Sequence, residues 1–172
     1  MRHFLVSIFD KFNYRDPLKW AVHVVNMRTD QGVDYLAAKG SLIRAMGNCQ
    51  ITRATTNSGW PGGGCVQYRL TGPGSHKGEE VYIAEFIKPL VFSGQWVKKG
   101  DAIAKFTADF SSGVGIETGW VRRGTNEPCN PCMPDNANCG QTEGGRAFAR
   151  WLHQLGRPTR DDPGAGDTHC PC

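Results

Sequence analysis

The chain has 172 residues, of which 39% are hydrophobic, with 22 glycines, 10 prolines and a net charge of +4. That length supports one domain with a real core plus extensions, and the glycine and proline content favours a turn-rich β architecture over a helical bundle. The basic bias is mild, and no basic run is interleaved with aromatics as a nucleic-acid groove would require. No apolar run reaches the roughly 18 residues of a membrane span.

The opening segment MRHFLVSIFDKF is broken by Asp10 and Lys11 and offers no small-residue cleavage site, so it does not read as a signal peptide. Leu5, Ile8, Phe9 and Phe12 recur at helical spacing and predict a short amphipathic helix, packed on the domain or docked to a partner. In DPLKWAVHVV, Asp16 is placed to cap a second helix with Pro17 at its first position. The β-branched end of the same stretch fits a first strand equally well. Residues 1–27 are therefore read as a helical extension.

Strand signals dominate residues 28–122. Val66, Tyr68 and Leu70 alternate with Gln67 and Arg69, and VYIAEF (81–86) is a short apolar run suited to burial on both faces. Gly94 and Gly100 punctuate a V-x-x-G-x-x-V-x-x-G-x-x-I pattern over residues 91–103. Biotinyl and lipoyl carriers share that pattern, but no lysine in an M-K-M or D-K-A setting follows it, which excludes a carrier. Residues 123–145 form a turn-rich, cysteine-bearing loop. Residues 146–156 predict a helix with Phe148, Trp151, Leu152 and Leu155 on one face, stopped by Gly156 and Pro158, and residues 157–172 read as an extended tail.

Seven cysteines need a role. Cys129, Cys132 and Cys139 lie in the loop, Cys170 and Cys172 in the tail, and Cys49 and Cys65 in the β region. Loop and tail have little apolar surface, so at least one disulfide among those five is expected. A structural zinc site built from the same cysteines, with His169 as a further candidate ligand, is the alternative and free thiols are the third reading, and an odd count leaves at least one cysteine unpaired within the chain.

Several phrases occur in an order that resembles the lysostaphin-type peptidoglycan endopeptidases. They are DQGVDY (30–35) with its continuation to residue 54, WPGGGCVQYRL (60–70), VYIAEF (81–86), VFSGQWVKKGDAIAKF (91–106) and GIETGW (115–120). The resemblance spans residues 28–122 and implies a mainly β fold, a β-roll or sandwich, here with helices at both ends. In that family H-x-x-x-D and a later H-x-H supply zinc ligands and a helper imidazole, and another histidine lies in a phrase like YAHL. Carried onto this chain, those positions hold Asp30 and Asp34, Gly115 and Glu117, and Glu85.

The frame is kept while its histidines are gone. His3, His23, His76, His153 and His169 all lie elsewhere, and His76 reads as a solvated turn residue. Zinc in hydrolytic sites is held mainly by imidazole, whereas an all-oxygen set suits calcium, magnesium or manganese. The carboxylates Asp30, Asp34, Glu85 and Glu117 should therefore meet at one open cleft, and three readings stay open. The site is a retained scaffold without cofactor, a hard divalent cation site, or an acid/base pair acting on a sugar bond. Trp60 and Trp120 flank these motifs and either stack on sugar faces or pack in the core.

Phrases such as DQGVDY, SGWPGG and SSGVGIETGW also resemble those of histidine-poor proteins of actinobacteria and their phages. With no export signal read at the start, a phage tail or tail-tip protein is expected, with other virion tail proteins and bacterial peptidoglycan as partners. An extracellular or envelope protein of an actinobacterium is the alternative location. The function expected first is a structural or wall-contacting module on a degenerate peptidase fold, and the alternative is an active peptidoglycan hydrolase. No nucleic-acid partner is expected.

Overall fold

The computed structural model describes residues 10–113, 115–122, 124–128 and 142–159. Among these, the strands are β1 (Val25–Thr29), β2 (Val33–Leu36), β3 (Leu42–Arg44), β4 (Cys49–Thr55), β5 (Gly64–Leu70), β6 (Glu80–Glu85), β7 (Ile87–Pro89), β8 (Trp96–Val97), β9 (Ala102–Phe106) and β10 (Ile116–Trp120). They form two antiparallel sheets, ordered β1-β2-β10-β6-β5-β4-β8 and β3-β9-β7. The mainly β architecture agrees with the expected fold class. None of the described helices is long and apolar enough to cross a membrane.

Period-two burial explains the large sheet. Val33 and Tyr35 of β2, Val66, Tyr68 and Leu70 of β5, and Val81 and Ile83 of β6 enter one core. The small sheet adds Ile43, Ile87, Ile103 and Phe106 to it. The other face of the large sheet is also covered. Tyr82 and Ala84 are buried there with Cys65 and Val121, and Gln67 donates to the carbonyl of Asn126 at 2.8 Å. VYIAEF is thus buried on both faces, as its apolar run implied.

The stretch 91–106 does not close into a simple hairpin. Gly94 and Gly100, both with φ near 90°, turn the chain so that β8 pairs with β4 while β9 joins the small sheet. The helix α1 (Glu143–Gln154) begins three residues earlier than residue 146, because the Thr142 hydroxyl caps it by accepting from the Gly145 amide at 3.0 Å. Phe148, Trp151 and Leu152 are buried as their spacing predicted, and Gly156 ends the element at φ 90°.

The N-terminal expectations need correction. Phe12 is 74% exposed and is not part of a packed apolar face, although residues 10–13 are helical. Asp16 caps a turn rather than a helix. Its Oδ1 accepts from the Leu18 amide at 2.8 Å, the Ala21 amide donates to the Leu18 carbonyl, and the first strand starts only at Val25. Tyr14 and Leu18 enter the main core beside Trp151, so the described part of this extension belongs to the same packed unit as the sheets. His76 is not a solvated turn residue, since its ring lies 4.3 Å from that of Trp151 and 4.9 Å from that of Trp120. Cys129, Cys132, Cys139, Cys170 and Cys172 lie outside the described residues, as do His3 and His169. Cys49 and Cys65 are buried free thiols.

Candidate functional site

Antiparallel pairing sets Asp34 of β2 directly opposite Glu117 of β10, and Glu117 opposite Ala84 of β6. Since Val33, Tyr35, Ile116 and Trp120 point into the main core, Asp34 and Glu117 are driven to the opposite face of the sheet. Glu85 reaches them by a different route. Alternation from Val81 and Ile83 would send it toward the core, but its φ of 81° takes it out of that alternation. One carboxylate oxygen from each of Asp34, Glu85 and Glu117 lies within 4.8 Å of the others.

Asp30 is near this group but occupied differently. Its Oδ1 accepts from the Gly32 amide at 3.2 Å, and its Oδ2 pairs with Arg28 Nη2 at 3.0 Å. The same guanidinium donates from Nε to Asp34 Oδ2 at 2.5 Å, so Arg28 bridges the two aspartates. Glu117 accepts from the Tyr82 hydroxyl at 2.5 Å and from Gln31 Nε2 at 3.4 Å. Asp34 is only 4% exposed, yet its Oδ1 has no hydrogen-bond partner.

Close backbone approach makes this arrangement possible. A Cβ on Gly32 would meet the Tyr82 hydroxyl at 2.4 Å and the Thr118 carbonyl at 2.6 Å. A Cβ on Gly115 would meet the Tyr35 carbonyl at 2.9 Å and Met27 Sδ at 3.1 Å, which leaves no space for an imidazole where the resemblance places the helper histidine.

Burial dominates the electrostatics. It raises the Asp34 carboxyl to about 6, helped by the charge of Asp30 and opposed by Arg28. It raises Glu85 to about 8, with Asp34 adding to the effect. Burial and the same aspartates push Glu117 well above the usual carboxylate range, and Tyr82 is pushed up by burial and by Glu117. Near neutral pH, Glu85 therefore holds its proton while Asp34 is ionised against Arg28. Cys65 lies on the same face, but burial raises its thiol to about 11, so it offers no thiolate nucleophile.

The expected meeting of carboxylates is thus partly changed. Three converge, Asp30 is linked to them through Arg28, and the place is a largely buried face rather than an open cleft. Trp60 stacks on Tyr82 at 5.4 Å and stays half-buried beside the cluster. Trp120 is 8% exposed and stacks on Trp151 at 4.8 Å, so it is a core ring without a face to offer a sugar. Sequence reasoning missed Arg28, Tyr82 and Gln31. A basic residue two positions before an acidic frame was the available signal for Arg28.

The zinc that the resemblance implies does not fit these residues. The donor set contains no imidazole, Asp30 is spent on an amide and a guanidinium, and the cation beside Asp34 is already Arg28.

The two antiparallel sheets define a lysostaphin-type fold. Solved structures that carry that likeness include a solution structure of lysostaphin and the antimicrobial peptidase lysostaphin from Staphylococcus simulans. The first aligns with a TM-score of 0.56 at 15% identity, covering 94% of this chain and 61% of the other. The second aligns with a TM-score of 0.55 at 14% identity, covering 90% and 59%. This chain therefore spans about three-fifths of the lysostaphin chains it matches. No protein-family model matches the sequence, and neither does any curated protein.

Proposed function

We infer that this chain is a non-hydrolytic, wall-contacting module on a lysostaphin-type fold, serving as a structural component of a phage tail or tail tip. The observation that carries this reading is the Arg28 guanidinium bridging Asp30 and Asp34, the positions at which the resemblance places two zinc ligands. An internal cation there ion-pairs with Oδ2 of each aspartate and stands where hydrolytic zinc would need an open coordination position for water. The contact surface we assign to the wall includes Trp60, the half-buried ring beside the cluster, and the partners are peptidoglycan and neighbouring tail proteins.

One observation favours a second reading. The environments of Asp34 and Glu85 separate their carboxyls to about 6 and about 8, the division of roles that acid/base cleavage of a sugar bond uses. Both readings meet in one assay. Purified protein incubated with peptidoglycan, with and without added zinc, is expected to sediment with the wall and to release neither peptide ends nor reducing ends. Zinc-dependent peptide ends would overturn the non-hydrolytic reading. Reducing ends lost in Glu85→Gln would establish the second.

A further inference from the structure

We propose that the cavity at the β8 edge of the large sheet binds an uncharged, N-acetylated pyranose glycan, with Trp96 as its stacking platform. The site goes beyond the wall-contacting reading, which assigns contact to Trp60, and stands on its own chemistry.

Local structure builds the platform. Val97 enters the main core, so strand alternation turns Trp96 to the opposite face, where it stays 67% exposed. The sheet order β10-β6-β5-β4-β8 places it four strand spacings from β10 and the acidic cluster, about 19 Å away. Asn48, Thr71, Trp96, Val97, Lys98 and Asp101 line a cavity of about 560 Å³ there, a volume in the range of small-ligand sites.

Two polar side chains are held in fixed orientation at this cavity. Asn48 Oδ1 accepts from the Lys99 amide at 2.9 Å, which leaves Nδ2 as a donor for a ligand. Asp101 Oδ2 accepts from the Lys98 amide at 3.1 Å, which leaves Oδ1 as an acceptor. The backbone beneath them is fixed as well, because the Asn48 carbonyl accepts from the Thr71 and Gly72 amides at 2.8 and 3.3 Å.

These groups choose among ligand classes. The C–H face of a pyranose is apolar and packs on an aromatic ring, while its polar substituents need a few directed partners at the rim. An acetamido group offers one acceptor and one donor, the complement of Asn48 Nδ2 and Asp101 Oδ1. A protein partner would instead bury a patch whose centre is depleted of Lys and Asp, and here both line the cavity with Asn48 and Thr71. The charges of Lys98 and Asp101 cancel, which suits an uncharged ligand better than a polyanion.

Isothermal titration calorimetry with a β-linked N-acetylglucosamine tetramer is the test. Wild-type protein should give a saturable isotherm, and Trp96→Ala should weaken binding by about tenfold or more. Asn48→Asp and Asp101→Asn keep an oxygen for the turn amides while changing the free donor and the free acceptor, and each should weaken binding by about threefold or more. Trp20 is the control, since it is also exposed, and Trp20→Ala should leave the affinity unchanged. Trp96 lies largely in solvent, so Trp96→Ala should keep the fold, with circular dichroism as the check. Trp96→Phe, which retains a smaller ring, should bind with intermediate affinity.

Absence of a saturable isotherm in wild type, equal affinity of wild type and Trp96→Ala, unchanged affinity in both Asn48→Asp and Asp101→Asn, or an equal loss in Trp20→Ala would overturn the proposal. If the isotherm is absent and sedimentation velocity shows self-association that Trp96→Ala removes, the ring belongs to an interface between copies of this chain. Co-sedimentation with peptidoglycan, measured in parallel, separates this site from the function proposed above. Saccharide binding without co-sedimentation removes only the wall-contacting reading, and co-sedimentation without saccharide binding removes only this site.

Discussion

At Glu85, backbone conformation and chemistry are coupled. A non-glycine residue at φ 81° is an uncommon, strained choice, and here it carries a carboxylate from the core side of a strand to the acidic side. The new surroundings bind its proton, raising the carboxyl from an ordinary 4.5 to about 8, while Asp34 rises from 3.8 to about 6. Wherever the folded protein holds a proton that the unfolded chain has released, stability falls with rising pH. The contribution of Glu85 is therefore fully present below 4.5 and is lost as pH climbs to about 8. That of Asp34 is lost between 3.8 and about 6. One pKa unit corresponds to about 1.4 kcal/mol, so Tm should drop by about 5 °C or more between about pH 5 and about pH 8. Calorimetry on Glu85→Gln should show a shallower slope and a higher Tm at the alkaline end. An identical slope would mean that Glu85 ionises normally in the fold.

The helix α1 is bound to the site through its first turn. Thr142 donates to the Asp30 carbonyl from both its amide and its hydroxyl, at 2.9 and 3.1 Å, and Gly145 lies against the same carbonyl. A Cβ on Gly145 would come within 2.0 Å of that oxygen. Alanine usually favours a helix over glycine by about 1 kcal/mol, but this contact is with backbone that cannot rotate away, and overpacking costs about 1–3 kcal/mol. The clash should win. Gly145→Ala is expected to destabilise the protein by about 1–2 kcal/mol in urea titrations, and a gain in stability would show that the helix end is free to shift. The apolar face of this helix, the alternation of β5 and the buried run of β6 were legible in the sequence because period alone sets them. The start of the helix was not, since it depends on a hydroxyl finding a carbonyl 112 positions away in the chain. The acidic frame was legible as a set of positions. Its geometry was not, because Arg28 reaches both aspartates across a slipped strand pairing and Glu85 leaves the regular alternation.

Across the whole molecule, the segments before and after the sheets close on each other. Arg157 donates to Asp16 Oδ2 from Nε at 2.8 Å and from Nη2 at 2.5 Å, and Nη2 also reaches the Leu18 carbonyl. Tyr35 of β2 completes the contact, with its hydroxyl donating to the Pro158 carbonyl at 3.2 Å. Both charged side chains are largely buried, so removing one partner leaves the other desolvated, at about 3–5 kcal/mol. Asp16→Ala should therefore lower Tm by about 10 °C, and Arg157→Ala should do much the same. The double variant should lose far less than the sum, because the second substitution removes the charge that the first had stranded. The signals to follow are far-ultraviolet ellipticity for the sheets and near-ultraviolet ellipticity for the Tyr14, Trp120 and Trp151 rings. With Tyr14 and Trp151 in one core, the two should move together in a single transition. An early aromatic transition that leaves the sheet melting at its original temperature would show instead that the flanking segments are a separable layer, and the acidic site would then have to be held by the sheet alone.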